Sequence, residues 1–175
     1  EALISRGNWR WTSADTGRFL DDNNNPIEDD FGNEITVSFD AEGVHVGDAA
    51  QKQYGLSIRY EPTSNAYVKL RSTYFDNYYS DFDPLSLNGE NAGRESWKIP
   101  AYQLIDLHAG YKFKLWKKNR LDLRLSVLNV LDEIYISDAQ NNDPYNANYQ
   151  DFDAKSAGVF FGLGRRINLS AKFTF

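Results

Sequence analysis

The chain has 175 residues, 41% of them hydrophobic and 15% aromatic, with a formal net charge of −6. That apolar content excludes an unfolded polar tail and suits one folded domain, while the absence of cysteine excludes a disulfide framework, a thiolate metal site and a thiol nucleophile. No apolar run approaches the roughly 18 residues of a spanning helix; a spanning β-barrel is not excluded, because alternating strands keep mean hydropathy low.

There is no methionine, and the first residues, "ALISRGNWRW", already read as a strand. A mature chain or a fragment is therefore expected, with no signal peptide at its start. Period-two patterning marks six strands, at about 2 to 13, 50 to 61, 65 to 77, 101 to 116, 120 to 136 and 159 to 175. The first closes on Trp9 and Trp11. Residues 14 to 49 follow as a polar loop, and the second and third strands then meet at the tight turn "EPTSN". After a second long loop, 77 to 100, the fourth strand places Ile105, Leu107, Ala109, Tyr111, Phe113 and Leu115 on one face against Asp106, His108, Gly110, Lys112 and Lys114 on the other. The turn "WKKN" leads into the fifth, where Leu121, Leu123, Leu125 and Val127 oppose Asp122, Arg124 and Ser126. This hairpin should set Asp122 opposite Lys112 or Lys114. A third long loop, 137 to 158, precedes the last strand, whose Ile167, Leu169, Ala171, Phe173 and Phe175 form the apolar set.

Short and long connections alternate, which places all the long loops at one end of the sheet. Those loops, taken as 14 to 50, 76 to 99 and 132 to 158, hold 21 of the 25 acidic residues and 4 of the 19 basic ones, a net of −17 against +11 elsewhere. Aromatic residues gather at both strand ends: Trp9, Trp11, Tyr74, Phe75, Tyr78, Tyr79, Tyr135, Phe160 and Phe161 towards the loops, and Tyr60, Tyr67, Phe113, Trp116, Phe173 and Phe175 towards the turns. An apolar band between two aromatic girdles is expected of an outer-membrane β-barrel. A soluble antiparallel β-sandwich binding module also alternates. Strand length, one-sided loops and a polar face carrying Arg59, Lys69, Arg71, Asp106, Lys112, Asp122, Arg124, Arg166 and Lys172 favour the barrel.

Five segments carry a resemblance. "PAYQLIDLHAGYKFKL", "LDLRLSVLNVLDEIYISDA" and "GVFFGLGRRINLSAKFTF" resemble, in order and spacing, the last three strands of TonB-dependent outer-membrane receptors, and "VGDAAQKQYGLSIRYEP" and "YFDNYYSDFDP" resemble Bacteroidetes-type members. The resemblance implies an all-β fold: a transmembrane antiparallel segment supplying the last six strands of a 22-stranded barrel, with plug, coupling-protein contact and earlier strands outside this sequence. It further implies uptake of a siderophore, glycan or peptide across the outer membrane of a Gram-negative bacterium, with the C-terminus at the periplasmic side. The implied partners are the remaining strands and plug, outer-membrane lipid and lipopolysaccharide, a TonB-type coupling protein, the barrel-assembly machinery and a surface lipoprotein. Phe175, Phe173 and Leu169 would carry the assembly signal. A plugless porin or an adhesin barrel is the alternative.

Candidate sites fall in the long loops. Tyr78, Tyr79, Trp97, Tyr145 and Tyr149 offer ring faces for a sugar or an aromatic ligand, or pack on one another, and Arg94 offers a fork for a carboxylate or phosphate. Asp81 and Asp83, alternate residues of an extended segment, make the best pair for Ca²⁺, without the glycine spacing of an EF-hand. No other cofactor is expected. His108 and Asp106 share the polar face, but no serine is suggestively placed beside either histidine, so a catalytic triad and an enzymatic role are not expected. The acidic loops offer no basic patch for nucleic acid.

Overall fold

The computed structural model describes residues 1–116, 119–141, 154–155 and 157–175. Its strands are β1 (Ala2–Arg6), β2 (Ala14–Arg18), β3 (Thr36–Asp40), β4 (Lys52–Thr63), β5 (Ala66–Asp76), β6 (Tyr78–Tyr79), β7 (Asp81–Phe82), β8 (Lys98–Ile99), β9 (Tyr102–Lys114), β10 (Arg120–Leu128), β11 (Ile136–Asn141), β12 (Gly158–Phe161) and β13 (Arg166–Thr174). The fold is all-β. Six strands form an antiparallel sheet in the order β1-β4-β5-β9-β10-β13, and three smaller sheets, β12-β11-β7, β2-β3 and β6-β8, are built from the long connections. No sheet among the described residues closes into a barrel.

Register carries the alternation from strand to strand. Tyr60, Val68, Ala109, Leu125 and Leu169 lie in one row across β4, β5, β9, β10 and β13, and Ile58, Leu70, Leu107, Val127 and Ile167 form another. One face is therefore apolar along these rows, with Ser72 hydrogen-bonded to Gln103 and the Lys52–Asp76 pair nearer the loop end. The opposite face carries Tyr67, Gly110, Arg124 and Ser170 in one row and Lys112, Asp122 and Lys172 in the next. Of the two partners expected for Asp122, Lys112 and Lys114, it is Lys112 that stands across the ladder, although the closest cation is Arg120, whose Nε lies 3.0 Å from Asp122 Oδ1.

Burial in this sheet runs opposite to that of a water-soluble protein. Its only two buried residues are Asp106 and Asp122, on the polar face, whereas Ile58 is 61% exposed and Leu169 74% exposed. The apolar core lies instead in the long connections. One cluster joins Ala41, Val44, Phe82 and Leu87, and another joins Ala50, Tyr78, Ile99 and Ala139, with Phe75, Trp97, Tyr102, Ile136 and Val159 packed around it.

Three expected boundaries are corrected. The first strand stops at Arg6, where the Trp9 ring folds back over Gly7 so closely that a Cβ there would meet Trp9 Cε2 at 2.6 Å. The fifth stops at Leu128, because Asn129 (φ 51°) and Asp132 (φ 57°) take left-handed conformations that end the ladder. The sixth divides into β12, which joins the loop sheet, and β13. The long loops are not irregular either, since among the described residues β2, β3, β6, β7, β8 and most of β11 lie within them.

Candidate functional site

At the long-loop end the connections fold into a cap. Its first fastening is His45, which is buried. His45 Nδ1 lies 2.7 Å from Glu95 Oε2 and Nε2 lies 3.0 Å from Asn8 Oδ1, while the His45 backbone N–H donates to Glu95 Oε1 at 2.9 Å. The imidazole stacks on Tyr79, with centroids 3.9 Å apart and planes 4° apart. Arg10 Nη1 donates to Gly43 O and reaches Glu95 Oε2 at 3.4 Å. Three connections, following β1, preceding β4 and preceding β8, are thereby tied at one point. A second fastening is Gln51, fully buried, whose amide accepts from Trp9 N and donates to Trp9 O and Val46 O. A buried amide with its groups satisfied costs little and holds one arrangement of the chain.

The described residues among those singled out from the sequence do not converge on one surface. Tyr78 is 7% exposed, its hydroxyl donates to Ser137 O at 2.9 Å, and burial followed by the charge of Asp138 pushes that hydroxyl up to about 12. No ring face of Tyr78 is open to a ligand. Trp97 packs beside it, and Tyr79 is committed to His45. Arg94 Nη1 donates to Asn91 Oδ1 at 2.7 Å. Asp81 stands in β7, which pairs in parallel with β11, and its Oδ1 accepts from Phe82 N. No group of three or more His, Cys, Asp or Glu gathers for a metal ion among the described residues. Tyr145 and Tyr149 lie outside the described residues. Phe173 and Phe175 end the chain with rings 6.2 Å apart, Phe175 94% exposed.

The acidic stretch 20 to 34 is ordered by a repeat. Asp21 Oδ1 accepts from the backbone N–H of Asn23 and Asn25, and eight residues later Asp29 Oδ1 accepts from those of Phe31 and Asn33. Position four of each loop is left-handed, Asn24 (φ 62°) and Gly32 (φ 82°). These backbone bonds hold both carboxyls below the usual carboxylate range. Phe19, Ile27 and Ile35, also eight apart, close a ring of three backbone hydrogen bonds: Phe19 N to Ile35 O, Ile35 N to Ile27 O, and Ile27 N to Phe19 O. The sequence signal was the spacing of "DDNNN" and "DDFGN".

Below the cap, a polar brace crosses the sheet. Asp106 Oδ2 accepts from Arg71 Nη2 at 2.6 Å and Nε at 3.1 Å, while Oδ1 accepts from the buried Asn129 N–H at 3.0 Å. The Asn129 side chain accepts from Glu133 N and donates to Glu133 O and Leu163 O, and Asp132 Oδ1 accepts from Arg165 N. The segment "NVLDE" is thus the joint between β10 and the approach to β13. Sequence reasoning also missed one pair: His108 Nδ1 lies 2.9 Å from Ser126 Oγ, directly across the ladder. Asp106, bound to Arg71 and Asn129, does not complete a triad with it.

No family model matches the chain, and neither a curated protein nor a solved structure is similar enough to it to stand as a relative.

Proposed function

We propose that the six-stranded sheet is wall from an outer-membrane β-barrel of a TonB-dependent receptor that takes up a siderophore, glycan or peptide. The observation that carries the membrane half is the uncovered apolar face, continuous across β4, β5, β9, β10 and β13. In water such a face calls for a second layer; in lipid it needs none. The polar face, with its buried aspartates and paired arginines, then lines the lumen. The two edge strands, β1 and β13, would leave rows of backbone groups unpaired at several kcal/mol each in hydrocarbon, so further strands complete the wall. The receptor half rests on the resemblance of 101 to 175, to which the brace gives a physical role for "NVLDE". In this reading the folded cap faces outward and captures ligand, a plug and coupling protein supply gating and energy, and Phe175, Phe173 and Leu169 address the chain to the assembly machinery. The chain itself contributes wall, cap and closing strand and performs no covalent chemistry.

The test is uptake by intact cells. Transport that depends on the coupling protein and is lost when 14 to 49 is deleted is the expected result; transport that persists without the coupling protein indicates a passive porin and contradicts the proposal. Phe175→Ala should lower the amount assembled in the membrane without changing ligand affinity per assembled molecule.

A further inference from the structure

A cleft of about 290 Å³ opens between β4, β5, β9 and β10, and its lining includes Arg59, Tyr67, Lys112, Asp122 and Arg124. Gly110 makes the room, because the Tyr67 ring lies against the strand there and a Cβ would meet Tyr67 Cε1 at 2.2 Å. The Arg59 guanidinium sits 4.0 Å above the same ring.

Much of the charge on the polar face is paired, although Lys114 and Arg166, like the cations of the cleft, form no ion pair among the described residues. Lys69 meets Glu1, Arg59 meets Glu61, Arg71 meets Asp106 and Arg120 meets Asp122. Lys112 and Arg124, both exposed and both lining the cleft, form no ion pair among the described residues, and Lys172 stands across the ladder from Asp122 in the same condition. Asp122 itself is 6% exposed, and its Oδ1 accepts no aligned hydrogen bond, although Arg120 Nε is 3.0 Å away. A buried carboxylate oxygen with spare accepting capacity, flanked by cations that lack partners, complements a ligand that is anionic and also carries one O–H donor.

We propose that this cleft binds a protonated oxyanion, phosphate or a phosphate monoester. Lys112 and Arg124 hold its charged oxygens, and the Asp122 carboxylate, whose Oδ1 lies against Arg120, accepts its O–H. Sulfate has the same shape but no proton, so it would turn a bare oxygen towards the carboxylate and be repelled. The site requires only that the polar face be wet, and so stands independently of the uptake reading.

The experiment is calorimetric titration of the detergent-solubilised protein at about pH 6, near the second phosphate pKa, with inorganic phosphate, glycerol phosphate and sulfate. Phosphate should bind at least about tenfold more tightly than sulfate, the consequence of one satisfied rather than one repelled buried acceptor. Lys112→Gln and Arg124→Gln should each weaken phosphate binding by about fivefold or more, as loss of a charge-assisted hydrogen bond does, whereas Lys114→Gln, outside the lining, should leave it unchanged. Asp122→Asn should abolish the preference over sulfate. Glycerol phosphate binding as well as phosphate assigns the cleft to esters; binding of phosphate alone assigns it to the free ion. Equal affinity for phosphate and sulfate, or undiminished binding in Lys112→Gln, overturns the proposal. Lys112 is exposed, so its variant gives this reading even where Asp122→Asn disturbs the strand.

Discussion

Replacing Asp106 with alanine and with asparagine separates what the brace does electrostatically from what it does as a hydrogen-bond acceptor. In Asp106→Ala the Asn129 N–H, buried beneath the cap, loses its partner, a desolvation penalty of about 1–3 kcal/mol. The Arg71 side chain is 53% exposed, so losing its carboxylate adds no more than about 1 kcal/mol once solvent screening is counted. The total is about 1–4 kcal/mol. Asp106→Asn keeps an oxygen for the Asn129 N–H and loses only the charge, so it should cost about 1 kcal/mol or less. Guanidinium unfolding of the protein in lipid vesicles, followed by tryptophan fluorescence, measures both. Equal costs for the two variants, or a cost below about 0.5 kcal/mol for Asp106→Ala, the level of an ordinary surface substitution, would refute the brace.

Two further outcomes follow from the cap. Gly162→Ala should destabilise by about 1–3 kcal/mol as overpacking, because a Cβ there would meet Tyr135 Cζ at 1.9 Å and Tyr135 is held by stacking on Tyr102, itself stacked on Phe75; unchanged unfolding midpoints would show that the ring moves freely. In pH-dependent amide exchange the two acidic regions should respond with opposite sign. Asp21 and Asp29, lowered by the backbone N–H groups of Asn25 and Asn33, protect their loops above the ordinary carboxylate range and lose that protection as pH falls through the lowered values, whereas Asp48, raised by desolvation and then by Asp81 and Asp138, favours the cap at low pH and loses that contribution as pH rises through its raised value. Asp48→Asn should remove the second response alone, and a common sign in both regions would contradict these assignments.

The central strands were legible because each obeys one rule along its length. Ile105 to Leu115 and Leu121 to Val127 alternate without interruption and are joined by a short connection, so Asp122 opposite Lys112 or Lys114 followed from the sequence, and the ladder selects Lys112. The same register, stepped along by four residues, places Ser126 opposite His108, a pair visible only across the ladder and not between neighbours along the chain. Strand ends were less legible. Asn129 and Gly7 stop their strands through side-chain capping and a folded-back ring, neither of which disturbs the alternation. The cap was hidden for another reason: its strands are short, and its polar residues, His45, Glu95, Gln51 and Asn8, acquire partners only from segments distant in sequence. Tyr78 and Trp97 are offered by the sequence as ligand platforms because aromatic residues in loops serve packing and binding alike, and in the structure both pack in the cluster around Ile99.

The central claim is that one face of the six-stranded sheet meets lipid and the other meets water. The chain has no native cysteine, so a single introduced thiol reports without background. Cysteines placed one at a time along 167 to 173 of the membrane-embedded protein, and along 56 to 60 as a second strand, are challenged with a charged, water-soluble maleimide and with a lipid-soluble one. Strict alternation is expected: the charged reagent labels positions 168, 170, 172, 57 and 59, and the lipid-soluble reagent labels 167, 169, 171, 173, 56, 58 and 60. Uniform labelling of both sets by the charged reagent would contradict the account.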